Sequence, residues 1–317
     1  MSDFRAKKAL GQNFINDPQL IESIADACGA GPLDTVVEIG PGKGALTCTL
    51  AERAAKVVAV ELDSSVIPLL KGNLAGAPNV EVVNEDILKF DWSRVVSGSA
   101  CAADGASEAE NAEAGGVLRI VGNLPYYITT PILLGILEKQ VPAESITVMV
   151  QKEVAERICA APGGKDYGVL SVSLQYYADC EYVLDVPAEY FTPRPKVDSA
   201  VVNMTLKKER LLAPEEEPQL FALVKTAFSQ RRKTLLNSLT GYSVPTVQNS
   251  KASNRSGAED PASIKAAGDK QPKISRKLTK DEILSILASA GIDPQRRPET
   301  LSIEEFAALS RAFYGLV

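Results

Sequence analysis

Short apolar runs alternate with amphipathic stretches along the first half of the chain. Between most of the runs, apolar residues recur with the period of a helix, as in Ala45–Arg53 and Thr130–Lys139. A helix that begins at Asp17 and Pro18 and ends at Gly29 precedes the first run. Strands that alternate with helices are typical of a parallel, doubly wound α/β sheet. The predicted strands, all rich in β-branched residues, are Thr35–Ile39, Lys56–Val60, Val80–Val83, Val117–Val121 and Ile146–Val150.

The pattern changes after the fifth predicted strand. Val169–Val186 and Ser199–Leu206 show no helical period, which predicts an antiparallel pair at the edge of the sheet. Beyond Lys207 the helical period returns, so the chain is predicted to contain an α/β domain over residues 1–206 and a small all-α domain over 207–317. The helices predicted in the second domain are Pro218–Leu239, Thr279–Ala290 and Ser302–Tyr314, and the last two open with a capping box.

Two segments, 97–116 and 243–273, interrupt this order. The first is rich in Ala, Gly and Ser and is acidic without any Lys or Arg, and the second is polar and lacks an apolar period. Segments of such composition bury too little apolar surface to fold. Both are predicted to be disordered inserts.

Composition narrows the classes of function. The 317 residues are 45% hydrophobic, enough for one large and one small domain. Five scattered cysteines without a C-x-x-C pair favour neither a disulfide framework nor a zinc site, and they fit a reducing cytoplasm. No apolar run is long enough to span a bilayer and no signal-peptide core begins the chain, so neither export nor a membrane role is expected. The absence of histidine removes the commonest general base and most transition-metal sites, and no metal is expected.

A glycine turn with the spacing G-x-G-x-G, Glu38–Gly44, follows the first strand. Between a strand and a helix, Gly40 and Gly42 let backbone N–H groups and the positive end of the helix dipole approach a ligand with no Cβ in the way. The spacing differs from the G-x-G-x-x-G of dinucleotide folds, and Glu38 can face the cationic amino-acid end of S-adenosylmethionine. The turn therefore favours this methyl donor over NAD.

Two further acids follow the next strands. Glu61 ends the second strand, about 20 residues after the first glycine, where an acid commonly accepts hydrogen bonds from ribose hydroxyls. Asp86 follows the third strand and can accept a hydrogen bond from the amino group of the donor adenine. Each acid alone can equally be a solvated strand terminus, but the glycine turn and both acids in this order indicate a donor site.

Asn123-Leu124-Pro125-Tyr126 follows the fourth strand and supplies groups that suit an amine. The lone pair of an exocyclic amine such as adenine N6 is delocalised into the ring. Two aligned acceptors, the Asn123 side-chain oxygen and the Leu124 carbonyl, can draw the nitrogen toward tetrahedral geometry. Pro125 biases Leu124 toward an extended conformation and aims Tyr126 as a stacking surface. The motif predicts a site for an amine-bearing base.

The chain resembles the bacterial small-subunit ribosomal RNA adenine N6-dimethyltransferases, often called the KsgA family. The resemblance covers nearly the whole chain apart from the two inserts, and it implies a Rossmann-like class I methyltransferase. It also implies dimethylation of two adjacent adenosines near the 3′ end of 16S rRNA in the small subunit, with S-adenosylmethionine as donor and a role in subunit maturation. We expect a cytoplasmic monomer. The sequence motifs that carry the resemblance are Leu10–Phe14, Glu38–Gly44, Glu61–Asp63, Asn123–Tyr126, Gln151–Val154, Tyr190–Ser199 and Ala227–Thr234.

The resemblance also implies roles by position. Phe191 would stack on the target base opposite Tyr126, although aromatic residues are more often core. Tyr127 stands where the family frequently has Asn, and Arg194 replaces a common proline. Tyr127 lies outside the acceptor motif, so activity is expected to survive. The residues expected to contact the donor are Asn13, Ile15, Gly40, Glu61, Asp86 and Asn123.

Cations occur in three places that suit the phosphates of RNA. One is the loop before Ser199, one is the middle of the predicted helix Pro218–Leu239, and one is the N-terminus with Lys7 and Lys8. The net charge of −6, taken alone, argues against a nucleic-acid partner, and a run of cations can equally be a solvated face. RNA binding therefore depends on the resemblance. The residues expected to bind RNA are Arg194, Lys196, Arg231, Arg232 and Lys233.

Three other functions remain open from the sequence. A non-catalytic RNA-binding assembly factor is disfavoured by the intact Asn-Leu-Pro-Tyr motif. Only the resemblance argues against a related enzyme that acts on 23S rRNA or on DNA adenine. A nicotinamide dehydrogenase is the weakest alternative. The order and extent of methylation and the function of the inserts do not follow from the sequence.

Overall fold

The computed structural model describes residues 7, 11–96, 115–230, 232–240, 242–245 and 275–315. Two compact units, Met1–Leu211 and Leu212–Val317, divide the chain. The division therefore falls slightly later than the predicted one after Leu206. Most of both predicted inserts lies outside the described residues, and no helix in the described part is long and apolar enough to cross a membrane.

The first unit is built on one large sheet. Five of its strands, β2 to β6, are parallel, and β9 runs antiparallel between β6 and β7. The order is β4-β3-β2-β5-β6-β9-β7, which confirms the predicted parallel sheet with an antiparallel edge. The strands of this unit are β1 (Phe14–Ile15), β2 (Thr35–Ile39), β3 (Lys56–Glu61), β4 (Val80–Asn84), β5 (Leu118–Asn123), β6 (Ala143–Gln151), β7 (Ala178–Val186), β8 (Phe191–Thr192) and β9 (Ser199–Leu206).

One helix of this unit occupies a segment predicted as strand. Val169–Gln175 is helical, so the strand prediction is wrong for the first part of Val169–Val186. Most residues of this helix are buried, so apolar and small side chains occupy nearly every position and no one-sided period appears. The helices of the first unit are α1 (Pro18–Cys28), α2 (Ala45–Ala51), α3 (Ile67–Asn73), α4 (Ser93–Val96), α5 (Thr129–Glu138), α6 (Lys152–Ile158) and α7 (Val169–Gln175).

The second unit is helical with one short antiparallel strand pair. Thr234 has an extended backbone, with φ −67° and ψ 161°, so the single helix predicted over Pro218–Leu239 is wrong in its middle. One strand of this pair, Ser243–Pro245, coincides with the start of the second predicted insert, so the prediction of disorder is wrong for these three residues. Both predicted capping boxes are present. The elements are α8 (Glu217–Ala227), α9 (Leu235–Leu239), β10 (Ser243–Pro245), β11 (Ser275–Lys277), α10 (Lys280–Ser289) and α11 (Ile303–Tyr314).

The topology of the sheet determines where a ligand can bind. β3 and β4 lie on one side of β2 and β5 lies on the other, so the strand order reverses between β2 and β5. Open α/β sheets bind ligands beyond the carboxyl ends of the strands at such a point. Ile39 at the end of β2 pairs with Gly122 near the end of β5. The glycine turn after β2 and Asn123 at the end of β5 therefore meet at this edge.

Candidate active site

A cavity opens at the carboxyl edge of the parallel strands. Its walls are the ends of β2, β3, β4 and β5 and the residues 11–16, which we call the N-terminal wall. The structure brings together in this cavity every residue for which a donor contact is expected from the sequence. They are Asn13, Ile15, Glu38, Gly40, Gly42, Glu61, Asp86 and Asn123.

The glycine turn forms the floor of the cavity beside the N-terminal wall. Gly40 and Gly42 have φ values of 69° and 58°, in the left-handed region that favours glycine. Gly40 N donates to Val60 O at 2.9 Å, which ties the turn to the neighbouring strand. A Cβ on Gly42 would lie 2.8 Å from Phe14 Cε1, so turn and wall approach closely.

Glu38 is a buried acid with unused hydrogen-bonding capacity. Burial raises the pKa of Glu38 to about 7, and the nearby Glu61 contributes in the same direction. The neighbouring Thr47 hydroxyl opposes this rise, yet neither its Oγ1 nor Glu38 Oε2 has a well-formed hydrogen bond among the described residues. Buried polar atoms are normally partnered, so an unpartnered carboxylate oxygen in a cavity fits a cationic ligand group.

The Glu61 carboxylate, at the end of β3, accepts hydrogen bonds from the glycine turn and from the turn that follows β3. Glu61 Oε2 accepts from Gly42 N at 3.1 Å, and Oε1 accepts from Asp63 N at 2.8 Å. Burial raises the pKa of Glu61, and these backbone hydrogen bonds oppose the rise. A carboxylate has about four lone-pair sites, so Glu61 retains capacity for hydroxyl donors. Asp86 lies beyond the next strand, where its Oδ1 accepts from Leu88 N at 3.0 Å.

The hydrogen bonds around Asn123 orient its carboxamide. Asn123 Nδ2 donates to Asn13 O at 2.9 Å, which places Oδ1 on the other side of the planar amide. Leu124 N donates to Met149 O at 3.1 Å, where the ladder between β5 and β6 ends. Asn123 lines the cavity, whereas Leu124 is only 1% exposed and neither Leu124 nor Tyr126 is among the lining residues. The structure therefore brings the Asn123 carboxamide to the cavity, and the roles of Leu124 and Tyr126 stay predictions.

The two aromatic side chains with expected stacking roles differ in placement. Tyr126 is half-buried, and its hydroxyl is hydrogen-bonded to Ser199 Oγ at 2.7 Å. Phe191 is only 3% exposed and belongs to the core cluster that includes Leu20 and Ile24, so it offers no stacking face here. Burial of its large apolar ring favours this core position. Tyr127, at 61% exposure, lines the cavity.

The cations expected to bind RNA lie on exposed backbone segments. Arg194 and Lys196 are exposed in the loop before β9, and Arg232 and Lys233 are exposed between α8 and α9 rather than inside a helix. Among the described residues, none of these four side chains forms an ion pair, and Arg231 lies outside that part of the chain. Lys7 differs, because its Nζ lies 2.7 Å from Asp63 Oδ1.

The sequence by itself indicates no role for Gln12 or Asp63. The structure joins them, with Gln12 Nε2 donating to Asp63 Oδ2 at 2.9 Å beside the cavity. Gln12 lies in the motif Leu10–Phe14 and Asp63 in the motif Glu61–Asp63, and their place in these shared motifs is the sequence feature that points to a role. The described residues contain no group of potential metal ligands.

The ribosomal RNA adenine dimethylase family matches residues 3–271. The chain belongs to this family. Two bacterial relatives, both named ribosomal RNA small subunit methyltransferase A, come from Alkaliphilus oremlandii and Clostridioides difficile. They are 40% and 42% identical over 308 residues, spanning 97% of this chain and 92% and 91% of their own lengths. The prediction of a methyltransferase that acts on ribosomal RNA is therefore confirmed.

Two solved structures share the fold of this family member. A dimethyladenosine transferase from Plasmodium falciparum superposes with a TM-score of 0.68 at 23% identity, covering 93% of this chain and 95% of its own. A 23S rRNA methyltransferase, ErmE, superposes with a TM-score of 0.60 at 25% identity, covering 95% of this chain and 99% of its own. These similarities confirm the predicted methyltransferase fold.

Proposed function

We propose that this family member dimethylates the N6 amines of two adjacent adenosines near the 3′ end of 16S rRNA in the immature small subunit, with S-adenosylmethionine as donor. The observation that carries the proposal is the Asn123 carboxamide, which lines the cavity and is oriented by the hydrogen bond from its Nδ2 to Asn13 O at 2.9 Å. The relatives named for the small subunit support the substrate. Because one chain supplies every expected donor residue, we expect a monomer to be sufficient.

The chemistry of the cavity fits the donor. Glu38 Oε2, which is buried and has no hydrogen bond within the described part of the chain, suits the cationic amino-acid end. Glu61 suits the ribose hydroxyls and Asp86 the adenine amino group, at the ends of β3 and β4. When bound, S-adenosylmethionine supplies an electrophilic methyl carbon on a positively charged sulfur.

The residues at the end of β5 prepare the acceptor. In the first transfer, Asn123 Oδ1 and the Leu124 carbonyl would accept the two N6 hydrogens, which turns the nitrogen lone pair out of the purine plane. In the second transfer one hydrogen remains for these acceptors. As the bond from N6 to the methyl carbon formed, the bond from that carbon to the donor sulfur would break, so positive charge would pass from sulfur to N6. Acceptors already in place stabilise this charge, and one N6 proton would then leave to water. The two acceptors therefore lower the barrier without a strong base, in a chain that has no histidine.

Alanine at Asn123 tests this role. Asn123→Ala is expected to lower kcat by about 10²-fold or more, the usual cost of losing one preorganised hydrogen-bonding group, while the donor Kd changes far less. Asn79→Ala is the matched control, because Asn79 Nδ2 also donates to backbone carbonyls, those of Ala51 and Ala54, outside the cavity. Normal turnover by the Asn123 variant would refute the assignment.

A labelling experiment tests the substrate. Labelled S-adenosylmethionine is supplied with unmethylated small subunits, naked 16S rRNA, 23S rRNA and DNA, and the modified nucleoside is identified. We expect N6,N6-dimethyladenosine, mainly in the small subunit. Preferential labelling of 23S rRNA or DNA would mean that the protein carries out the same reaction on a different nucleic acid.

A further inference from the structure

The carboxylate of Asp63 holds the chain at the N-terminal wall. Oδ1 accepts from Lys7 Nζ at 2.7 Å and from Ser65 Oγ at 2.6 Å, and Oδ2 accepts from Gln12 Nε2 at 2.9 Å. The Asp63 side chain is only 2% exposed, whereas that of Lys7 is 49% exposed, so the carboxylate itself lies largely out of water. Burial would raise the pKa of Asp63, but the hydrogen bonds from Lys7, Ser65 and Gln12 lower it well below its usual range. The carboxylate is therefore ionised at neutral pH.

The turn that carries Asp63 also carries a donor residue. Asp63 N donates to Glu61 Oε1 at 2.8 Å, so the backbone of one residue orients the carboxylate of the other. Glu61 lines the cavity, whereas Asp63 does not and instead bonds the N-terminal wall from outside. A single turn after β3 thus positions two walls of the cavity.

The N-terminal wall reaches the acceptor side directly. Gln12, bonded to Asp63, precedes Asn13, whose carbonyl accepts from Asn123 Nδ2 at 2.9 Å. Two residues further on, the Ile15 backbone pairs with Phe191 in the antiparallel β1–β8 pair. A displacement of Gln12 therefore acts on the hydrogen bond that orients the Asn123 carboxamide.

We infer that Asp63 is a positioning residue that holds the N-terminal wall beside the methyl donor and, through Gln12 and Asn13, orients the Asn123 carboxamide. We call the hydrogen bonds from Lys7 and Gln12 to Asp63 the latch. The inference rests on the proposed function. Asp63 is not expected to touch the donor, so its effect is transmitted through the wall.

Asn at position 63 tests the latch. In the full-length Asp63→Asn variant, calorimetry is expected to show the Kd for S-adenosylmethionine raised about five-fold or more, a typical size for coupling between sites. Without donor, amide hydrogen exchange in residues 11–16 is expected to be faster than in the wild type. Lys7→Met is expected to act in the same direction, and the double variant less than additively, because both changes break one ion pair.

Asp34 provides the matched control. It is also a buried carboxylate, and it accepts from Gly31 N, Val117 N and Arg119 Nε at 2.9, 2.9 and 2.8 Å, but it does not line the cavity. Asp34→Asn is expected to lower stability while leaving the donor Kd and the exchange of residues 11–16 unchanged.

The outcomes separate the latch from the proposed function. If Asp63→Asn only lowers stability, with wild-type donor Kd and wild-type exchange in residues 11–16, Asp63 is structural and the inference is wrong. If the wild type itself does not bind S-adenosylmethionine, the proposed function fails. The exchange comparison between the Asp63 and Asp34 variants still tests the latch in that case.

Discussion

Glu38 makes folding stability depend on pH. Its pKa is raised from the ordinary value of 4.5 to about 7, mainly by burial. Between these pH values the folded chain retains a proton that the unfolded chain releases. The stability linked to this group is therefore complete below pH 4.5 and is lost as the pH rises through about 7.

Glutamine at position 38 should remove this dependence. We expect the free energy of unfolding of the wild type, relative to Glu38→Gln, to fall by up to about 3 kcal/mol between about pH 5 and pH 8. Urea titrations across that range measure the difference. Glu189→Gln, on an exposed carboxyl, is the control. Parallel pH profiles for the wild type and Glu38→Gln would show that Glu38 does not carry this linkage.

The acids and the amide of the cavity could be predicted because each lies at, or just beyond, the end of a strand. Glu38, Glu61 and Asn123 stand at carboxyl ends of parallel strands, and the topology brings such ends to one edge. The burial of Phe191 could not be predicted in this way, because it depends on packing against side chains from distant parts of the chain. For the same reason, the Lys7–Asp63 ion pair has no local signature.

The glycine turn between β2 and α2 packs closely against the N-terminal wall. Gly42→Ala would require a left-handed backbone at alanine and a Cβ 2.8 Å from Phe14 Cε1. The left-handed conformation alone costs about 1–2 kcal/mol. We therefore expect Gly42→Ala to destabilise the protein and to weaken donor binding, since the wall must move. Thermal unfolding and donor calorimetry measure both effects.

Gly72→Ala is the matched control for that change. Gly72 lies within α3, and an added Cβ would meet no atom within 4 Å. Alanine restricts the unfolded chain, so the substitution should stabilise by about 0.4–1 kcal/mol with donor affinity unchanged. Loss of donor binding in the Gly72 variant, or its retention in the Gly42 variant, would contradict the proposed fit of turn and wall.

Elements with one buried face, or with specific end residues, could be predicted well. Asp17 caps α1 by accepting from Leu20 N, and Gly29 ends that helix in the left-handed conformation. The prediction failed where burial surrounds a helix, as in α7, and where an apolar period continues across a break, as between α8 and α9. Strands as short as β10 and β11 carry too few residues to show an alternation.

Across the whole molecule, acidic residues outnumber basic ones by 40 to 34, yet the proposed substrate is a polyanion. Many cations are neutralised locally, as Arg53 is by Glu22 and Asp26, and Lys56 by Glu81. Binding to phosphates depends on the cations that remain free rather than on the net charge. The negative total therefore does not oppose RNA binding at local sites.

The salt dependence of RNA affinity tests this distribution of charge. RNA affinity should fall steeply with salt, and removing a cation that neutralises one phosphate should reduce the slope of log K against log salt by about 0.7–0.9. Arg194→Gln with Lys196→Gln should therefore flatten the slope, and Arg232→Gln with Lys233→Gln should do so separately. Arg53→Gln with Lys56→Gln removes the same charge from paired cations and should leave the slope unchanged. Equal slopes in all three variants would mean that total charge, and not these exposed residues, governs binding.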